Sequence, residues 1–587
     1  MMEPFERIDI QELPLIVPSF RRKVEDFLGR NGLRLEEVDL YLAILDEEGR
    51  ILAGGGLFRD IIKCIAVSEA ARSLGLSVPL ISRLISVAAE RGYPNVKVFT
   101  KPENRSVFES LGFKVLAEAP KAILMENGRG LEEYCQYLRG HRASGVIVMN
   151  ANPFTLGHRF LVEQSATFGR LVIIPVKENR SLFPYIARLE MIRHGCLGRP
   201  GRKALADVVE GSDYQVSSAT FPTYFLKDLS DAAETQMRLD IDLFGRHIAP
   251  ALGARRRFVG SEPLDPLTAR FNALMKELLP AYGVQVVEIP RLGNADAAIS
   301  ASWVRAHLAA GDFPSASALT PASTHPYLMT YLAVRALRME LEAPLKPGLV
   351  GPDGNGAHRD MDYSLMLRSI DAIRPFFPRM GMAASPEELR QIGLDAEKAM
   401  LAATGGVNTH RGAIFALGLA LYTAGRRMGE IDTQSYMQTA FAQVAESISS
   451  NSLKDSALRP MGKSHGAEAV QEFGVKGAMQ MAREGYRDLF EDWLPYFRSV
   501  QDDPFRLQKT LLRIMSALDD TCIIHRVGYD RAQKVKAEAD ALLEAFAEEG
   551  LKDMCDRFAA EGISPGGAAD MLVLTIWTDS FTHTSTN

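Results

Sequence analysis

Thr155-Leu-Gly-His158 lies between two β-forming runs, Val146 to Met149 and Leu171 to Ile174, and so reads as a turn that opens the intervening helix. A helix start presents unpaired backbone N–H groups and the positive end of the peptide dipole, which together favour an anion. Gly157 lets a phosphate approach the main chain where a Cβ would obstruct it, and His158 can donate to a phosphate oxygen, so chemistry on ATP is expected here. Three later segments concentrate turn formers with charged residues just before helical patterns. They are Lys346-Pro-Gly-Leu-Val-Gly-Pro-Asp-Gly-Asn-Gly-Ala-His-Arg-Asp-Met-Asp362, Ala403-Thr-Gly-Gly-Val-Asn-Thr-His-Arg-Gly-Ala-Ile-Phe415 and Ser564-Pro-Gly-Gly-Ala-Ala-Asp570. Glycines there let backbone N–H groups cradle a triphosphate, Lys and Arg neutralise it, and carboxylates hold the Mg²⁺ that accompanies ATP.

The elements that must position these residues fall into three regions. To about Asn127, strand and helix patterns alternate: a hairpin of Val38 to Leu45 and Ile51 to Leu57, a strand at Ile61 to Val67, a helix from about Val78 to Arg91, a strand at Val96 to Thr100 and a short helix from Asn104. From about Glu132 to Pro321, Arg257-Phe-Val-Gly260 and Val284 to Ile289 add short apolar strands to the two named above. An open parallel sheet is the economical arrangement, with ligands at its carboxyl edge, where His158, Ser300 and Gly260-Ser-Glu-Pro-Leu-Asp-Pro-Leu-Thr268 fall. From near His325 strand signals nearly vanish and helical periodicity takes over, as at Tyr327 to Leu341, Ala413 to Ala424 and Gln533 to Ala547, which predicts an all-α bundle. The chain is thus expected to be multidomain, with boundaries at 1–130, 131–322 and 323–587: two α/β domains, the second a Rossmann-like parallel sheet, and an all-α domain.

A chain of 587 residues suits about three or four cores at the usual domain size. Its net charge of −6, with no basic run that outweighs the neighbouring acids, argues against nucleic acid as a partner. Cys64, Cys135, Cys196, Cys522 and Cys555 are widely spaced and form no C-x-x-C pair, so neither a disulfide framework nor a cysteine-rich zinc site is expected and a reducing cytoplasm fits. Met-Met-Glu-Pro-Phe-Glu-Arg7 is not a basic start followed by an apolar stretch, and no apolar run approaches the roughly 20 residues that span a bilayer; neither export nor a membrane span is expected.

Thr155-Leu-Gly-His158 resembles the T/H-x-G-H signature of the nucleotidyltransferase superfamily, and Ile299-Ser-Ala-Ser-Trp-Val-Arg305 resembles its I-S-S-T-x-x-R element. That resemblance implies that Ser300, Ser302 and Arg305 grip the β- and γ-phosphates. Arg72-Ser-Leu-Gly-Leu-Ser77 and Glu103-Asn-Arg-Ser-Val-Phe-Glu-Ser-Leu-Gly-Phe113 resemble the pyrophosphate loop and the N-x-x-S-x-x-F-x-x-x-G-F element of N-acetyltransferases. With Ser77 where that family has Gly or Ala, packing or docking of a CoA-like group is expected of the domain rather than acetyl transfer. Together the two N-terminal regions are similar to citrate lyase ligase, which activates acetate with ATP through acetyl-AMP and acetylates the prosthetic-group thiol of the citrate lyase acyl carrier subunit. The resemblance implies that Thr155 and His158 stabilise charge at the α-phosphorus, that Asn152 and Gly157 belong to the nucleotide site, and that Lys177 and Arg188 are further phosphate donors.

The three Gly-rich segments, together with Asp519-Asp-Thr-Cys-Ile-Ile-His-Arg-Val-Gly528, resemble triphosphoribosyl-dephospho-CoA synthase. That family joins the ribosyl-triphosphate of ATP to dephospho-CoA and releases adenine. By analogy with other glycosyl transfers, a carboxylate would steady an oxocarbenium-like carbon while a metal clamps the triphosphate. Asp360, Asp362 and Asp520 are expected in the metal or charge-stabilising roles, with Asp360 and Asp520 catalytic. His358 and His410 are expected at adenine or phosphate, Lys346 and Arg411 at phosphates, and Asn355, Gly405, Gly406 and Asn408 in the nucleotide cradle. One departure stands out: Met479-Gln-Met-Ala482 occupies the place of the family's R-G-E-A, so thioethers replace an Arg and a Glu. Synthase activity is still expected because the other elements persist. The combined reading is a bifunctional citrate lyase maturation enzyme. Its alternatives are adenylyl transfer to a phosphopantetheine-like acceptor, a helical module that only binds dephospho-CoA or the carrier, and a malonate decarboxylase maturation factor.

Overall fold

A computed structural model of the chain describes residues 8–178, 181–197, 203–215, 230–262, 265–292, 299–426, 433–452 and 471–582. The opening segment Met1 to Arg7, and Pro263-Leu264 within the Gly260 to Thr268 segment, lie outside the described residues. Contacts divide the chain into two compact units, Met1–Ile299 and Ser300–Asn587.

The first unit contains two sheets. Strands β1 (Gln11–Glu12), β2 (Leu40–Leu45), β3 (Ile51–Phe58), β4 (Ile61–Val67), β5 (Val96–Thr100), β6 (Lys114–Ala119) and β7 (Ala122–Asn127) form one in the order β1-β2-β3-β4-β5-β7-β6. Every join is antiparallel except β4 to β5. The Ser77–Glu90 helix lies against β3 and buries Leu80, Ile81, Leu84, Val87 and Ala88. It approaches so closely that a Cβ on Gly55 would come 3.0 Å from Leu84, which accounts for a glycine in mid-strand.

Strands β8 (Gly145–Met149), β9 (Leu171–Pro175), β10 (Asp207–Val208), β11 (Arg256–Gly260) and β12 (Gln285–Ile289) form the second sheet, ordered β10-β9-β8-β11-β12 and parallel throughout. β9 is buried at every position, as the covered strand of a parallel sheet must be. The chain runs outward from β8 on one side and returns to its other side with β11. The carboxyl ends of β8 and β11 therefore flank a crevice of the kind that binds ligands in open α/β sheets. One apolar cluster runs through both sheets, from Leu28, Tyr41 and Leu124 to Val146, Ile174, Leu239 and Phe244.

The second unit is built of helices, and among its described residues the β pairing is confined to a bridge between Gly351 and Gly354. Its centre is the Gly566–Thr582 helix, apolar on nearly every side, with Trp577 enclosed. The helices His325–Glu342, Arg411–Arg426 and Arg506–Ala517 pack on it. Among the described residues no helix is long and apolar enough to cross a membrane.

Candidate active sites

At the end of β8 the chain turns through Asn150 to Phe154 and enters the Leu156–Ala166 helix, for which Thr155 is the N-cap. The Thr155 hydroxyl accepts from the His158 backbone N–H at 3.3 Å, and the Thr155 N–H donates to His158 Nδ1 at 3.0 Å. The hydroxyl also stands 2.8 Å from Nδ1. An Nδ1 that accepts from a backbone N–H carries no proton, so the neutral ring bears its proton on Nε2. Burial first, and the Arg291 cation second, push the His158 pKa down to about 4, which keeps the ring neutral. His158 is thus an oriented neutral donor, and Thr155, itself buried, is the residue that orients it.

Lys177, two residues beyond β9, pairs with Asp213 at 3.0 Å, and its N–H donates to Gln215 Oε1 at 3.2 Å. Asn152 accepts from the Phe183 N–H at 3.2 Å. The first sheet reaches this edge through buried Lys97 of β5, which donates to the Asp213 carbonyl at 3.2 Å while paired with Asp60 at 2.7 Å. Tyr214 beside it donates to Glu126 of β7. A second cation, Arg291, follows β12, donates to the Ser261 carbonyl at 3.0 Å and pairs with Glu262. The sequence reading passed over Arg291, although a cation just past the carboxyl end of a parallel strand is a signal the sheet rule supplies.

Arg188 does not have the place expected of a phosphate donor. It is 0 % exposed, and its guanidinium donates to the carbonyls of Phe183 at 3.0 Å, Asn150 at 2.9 Å, Val176 at 2.9 Å and Glu178 at 2.5 Å, and to Asn150 Oδ1 at 2.6 Å. The fork ties the loop after β8 to the loop after β9, which is a positioning role. Arg188→Lys keeps the charge and loses the fork. It is expected to cost about 2–4 kcal/mol, because carbonyls buried around a five-donor group lose partners. Calorimetry would register this as a lower first melting transition.

In the second unit Ser300 caps the Ala301–Ala310 helix. Its Oγ accepts from the Ser302 N–H at 3.2 Å and lies 2.7 Å from the Ser302 hydroxyl, and Arg305 follows one turn later on the same helix.

A cavity of about 620 Å³ opens between the helices of the second unit. Asn408, Arg411 and Asp520 line it, as do Asp519, Glu397, Tyr486 and Asp570. Asp520 caps the Thr521–Val527 helix by accepting from the Cys522 N–H at 2.8 Å, and it also accepts from the Ala568 N–H at 2.9 Å, at the start of Gly566–Thr582. A Cβ on Gly567 would come 3.0 Å from that carboxyl, so the glycine at this position lets the acid in. Asp570 lies against the start of Arg411–Arg426, where a Cβ on Gly412 would collide with it at 1.8 Å, and it accepts from the Ala413 N–H. Burial raises the pKa of both acids. For Asp570 the rise is large, with the Asp520 and Glu340 charges adding to burial. Two coupled acids among three helix N-termini can hold one negative charge comfortably and a second only with a cation.

The other expected site residues lie outside the lining of this cavity. Lys346 is not a free phosphate ligand: it is buried and pairs with Glu340 at 2.5 Å. His410 is buried with Nδ1 2.7 Å from the Ser369 hydroxyl, and burial lowers its pKa to about 4. His358 has both ring nitrogens engaged, Nδ1 accepting from Arg526 at 3.2 Å and Nε2 lying 2.8 Å from the Ser564 hydroxyl. Asp362 is an exposed N-cap that accepts from the Leu365 N–H at 2.7 Å, and Asp360 and Asn355 are exposed. Gly405 and Gly406 are left-handed turn residues beyond the Pro386–Ala403 helix. Asp360, Asp362 and Asp520 do not form the expected metal site, since among the described residues no group of three or more His, Cys, Asp or Glu could hold an ion. In this cavity Asp570 and Tyr486 were the residues missed. Asp570 closes a segment already singled out by its glycines, while Tyr486 is the aromatic after Gly485.

A parallel sheet with an oriented imidazole at its switch point, followed by a helical cavity walled by coupled acids, defines a two-centre enzyme. Residues 144–328 match the citrate lyase ligase C-terminal domain, and residues 327–587 match ATP:dephospho-CoA triphosphoribosyl transferase. The [citrate [pro-3S]-lyase] ligase of Haemophilus influenzae is 38% identical over 55% of this chain and 98% of its own length. The ligase of Klebsiella pneumoniae is 39% identical over 53% of this chain and 92% of its own. A protein of Azotobacter vinelandii named probable 2-(5''-triphosphoribosyl)-3'-dephosphocoenzyme-A synthase is 36% identical over 42% of this chain and 89% of its own. The chain belongs to the citrate lyase ligase family through its N-terminal part and to the triphosphoribosyl-dephospho-CoA synthase family through the remainder.

Proposed function

We propose that the chain is a bifunctional citrate lyase maturation enzyme of the cytoplasm, with a packing or CoA-docking domain at 1–130, an acetate:thiol ligase domain at 131–322 and a synthase domain at 323–587. The observation that carries this reading is that one polypeptide spans nearly the whole length of a relative from each family.

In the ligase reaction an acetate oxygen attacks the α-phosphorus of ATP and pyrophosphate departs. The thiol of the acyl carrier subunit then attacks the acetyl carbonyl, and AMP leaves. The Nε2–H of His158 donates to a phosphate oxygen as charge builds there, and Lys177 and Arg291 are further cations on that sheet edge. The family resemblance assigns Ser300, Ser302 and Arg305, at the start of the Ala301–Ala310 helix, to the departing pyrophosphate.

In the synthase reaction the bond from the ribosyl carbon of ATP to adenine breaks, and a bond to a hydroxyl oxygen of dephospho-CoA forms. The ionised member of the Asp520 and Asp570 pair steadies the positive carbon and takes up the hydroxyl proton, while the protonated member gives a proton to the departing adenine. Magnesium is commonly bound by one or two carboxylates together with substrate phosphates, and this pair is such a donor set. The ion would add charge neutralisation of the triphosphate.

The test is to give the purified chain ATP and follow two products. Free adenine is expected when dephospho-CoA is present, and pyrophosphate when acetate is present. Pyrophosphate formed with a phosphopantetheine acceptor and no acetate would point to adenylyl transfer instead. Dephospho-CoA bound without adenine release would reduce the helical unit to a binding module.

A further inference from the structure

The segment in which this chain departs from the synthase pattern forms part of the wall of the helical cavity. Met479 and Met481, which stand where an Arg and a Glu were expected, border it together with Tyr486. Asp519, Asp520 and Asp570 border the same space, so acids and thioethers face a common ligand volume.

Tyr486 is 2 % exposed, and its hydroxyl has no hydrogen-bond partner among the described residues. Several other buried polar atoms in the unit also lack a partner, Trp493 Nε1 and the Thr423 and Thr578 hydroxyls among them, but those residues do not border the cavity. Native structures rarely leave a buried hydroxyl unpaired, and one carried by a residue that borders a ligand cavity points to a partner that comes with the ligand. The ring cannot easily move away to find another. Phe441 packs edge-on against it at 5.4 Å, and the backbone is left-handed at Tyr486 (φ 49°) after a left-handed Gly485. A Cβ on Gly485 would meet the Gln438 carbonyl at 2.3 Å, so the turn is pinned to the Thr433–Ser452 helix. Burial, with the Asp570 charge second, raises the phenol's pKa, so it stays protonated and acts as a donor.

We propose that Met479, Met481 and Tyr486 form a purine-base subsite of the helical cavity, in which the thioethers lie against the face of the base and the Tyr486 hydroxyl donates to one of its ring nitrogens. Thioether sulfur is polarisable and makes favourable contacts with aromatic rings, whereas a charged pair at these positions would have to lose its hydration to meet a flat, weakly polar surface. A purine also supplies acceptors at its ring edge without bringing a charge close to Asp520 and Asp570. On this assignment the Arg and Glu replacement re-tools the base pocket and does not signal an idle site. The inference rests on the synthase reading above, and it deepens that reading by naming where the leaving base is held.

The probe is free adenine, titrated calorimetrically into the full-length chain, with 1-deazaadenine, 3-deazaadenine and 7-deazaadenine as analogues that each lack one ring acceptor. Tyr486→Phe is expected to weaken adenine binding by about three- to ten-fold, the range of one hydrogen bond. One deaza analogue should bind the unmodified chain more weakly by a similar factor, and that penalty should vanish in the variant. Absence of adenine binding, or equal affinity for all four bases in the unmodified chain, overturns the proposal. The analogue series alone decides the matter if Tyr486→Phe does not fold. Adenine release from ATP and dephospho-CoA, measured in parallel, separates the two levels. Turnover with deaza-insensitive binding removes the subsite and leaves the synthase standing, while base binding that follows the expected pattern without turnover removes the synthase and leaves the subsite.

Discussion

His158→Ala lowers acetate-dependent pyrophosphate release by about 10²–10³-fold, the loss typical of one preorganised donor to developing charge, and leaves adenine release unchanged. The selectivity follows because the two sets of residues belong to different units. His158 is held by Thr155 on the parallel sheet of the first unit, whereas the acids of the second cavity belong to helices that begin beyond Arg411. A pH profile adds a second arm. Because burial and Arg291 hold the imidazole pKa near 4, the donor remains neutral through the usual assay range, and the ligase rate should show no His158 inflection near 6.5. The sign for stability is that of a depressed histidine. Its folded value lies below the unfolded 6.5, so its contribution is complete above 6.5 and is lost as the pH falls through 4. Loss of both activities in a well-folded His158→Ala protein would sink the idea of two independent centres.

The strands that were easiest to read are those whose composition leaves little choice. Ile61–Val67 and Val96–Thr100 coincide with their predicted limits because β-branched residues predominate in them. β6 and β7 escaped notice for the opposite reason. Lys114–Ala119 and Ala122–Asn127 contain Ala, Glu, Leu and Met, residues as ready for a helix, and their strand state comes from pairing with each other and with β5. The nucleotide turn was legible because a helix start with Thr, Gly and His is a local device. The tautomer of His158 is equally local, since its cap partner lies three residues away.

Other roles depend on distant partners. Arg188 looked like any cation at a sheet edge, and only the fold shows carbonyls from two loops closing around it. Asp360 and Asp362 mimic a metal loop, yet a carboxylate just before a helix is as often a cap, and Asp362 is one. Asp570 sits within an apolar helix that begins at Gly566, and nothing in that pattern foretells an acid meeting the start of another helix. Read along the chain, Met479 and Met481 stand out only as thioethers in the place of an Arg and a Glu. In three dimensions the same thioethers border the cavity that Asp520 and Asp570 also border.

Asp570→Asn should silence adenine release and at the same time stabilise the helical unit, an opposition that a purely structural acid would not produce. The asparagine keeps the shape and an oxygen that can accept from the Ala413 N–H, so the close packing over Gly412 survives. What it removes is a carboxyl whose ionisation is resisted by burial, by Asp520 and by Glu340, in that order. The folded value of this acid is raised above its ordinary 3.8, so between the two values the folded chain binds more protons than the unfolded chain. Its contribution to stability is therefore complete below about 3.8 and is lost as the pH rises through the folded value, the reverse of a salt-bridged aspartate. Asp570→Asn accordingly has little effect on melting near pH 4 and raises the melting temperature of the helical unit at pH 8, by about 2–4 °C for each kcal/mol of relieved charge burial. Adenine release should fall by at least about 10²-fold, since the pair loses the member that lets one carboxylate ionise beside a protonated neighbour. Thermal melts at the two pH values and an adenine assay on the same protein give both readings. Retained turnover, or a melting temperature lowered equally at both pH values, would return Asp570 to the ordinary status of a packed polar residue.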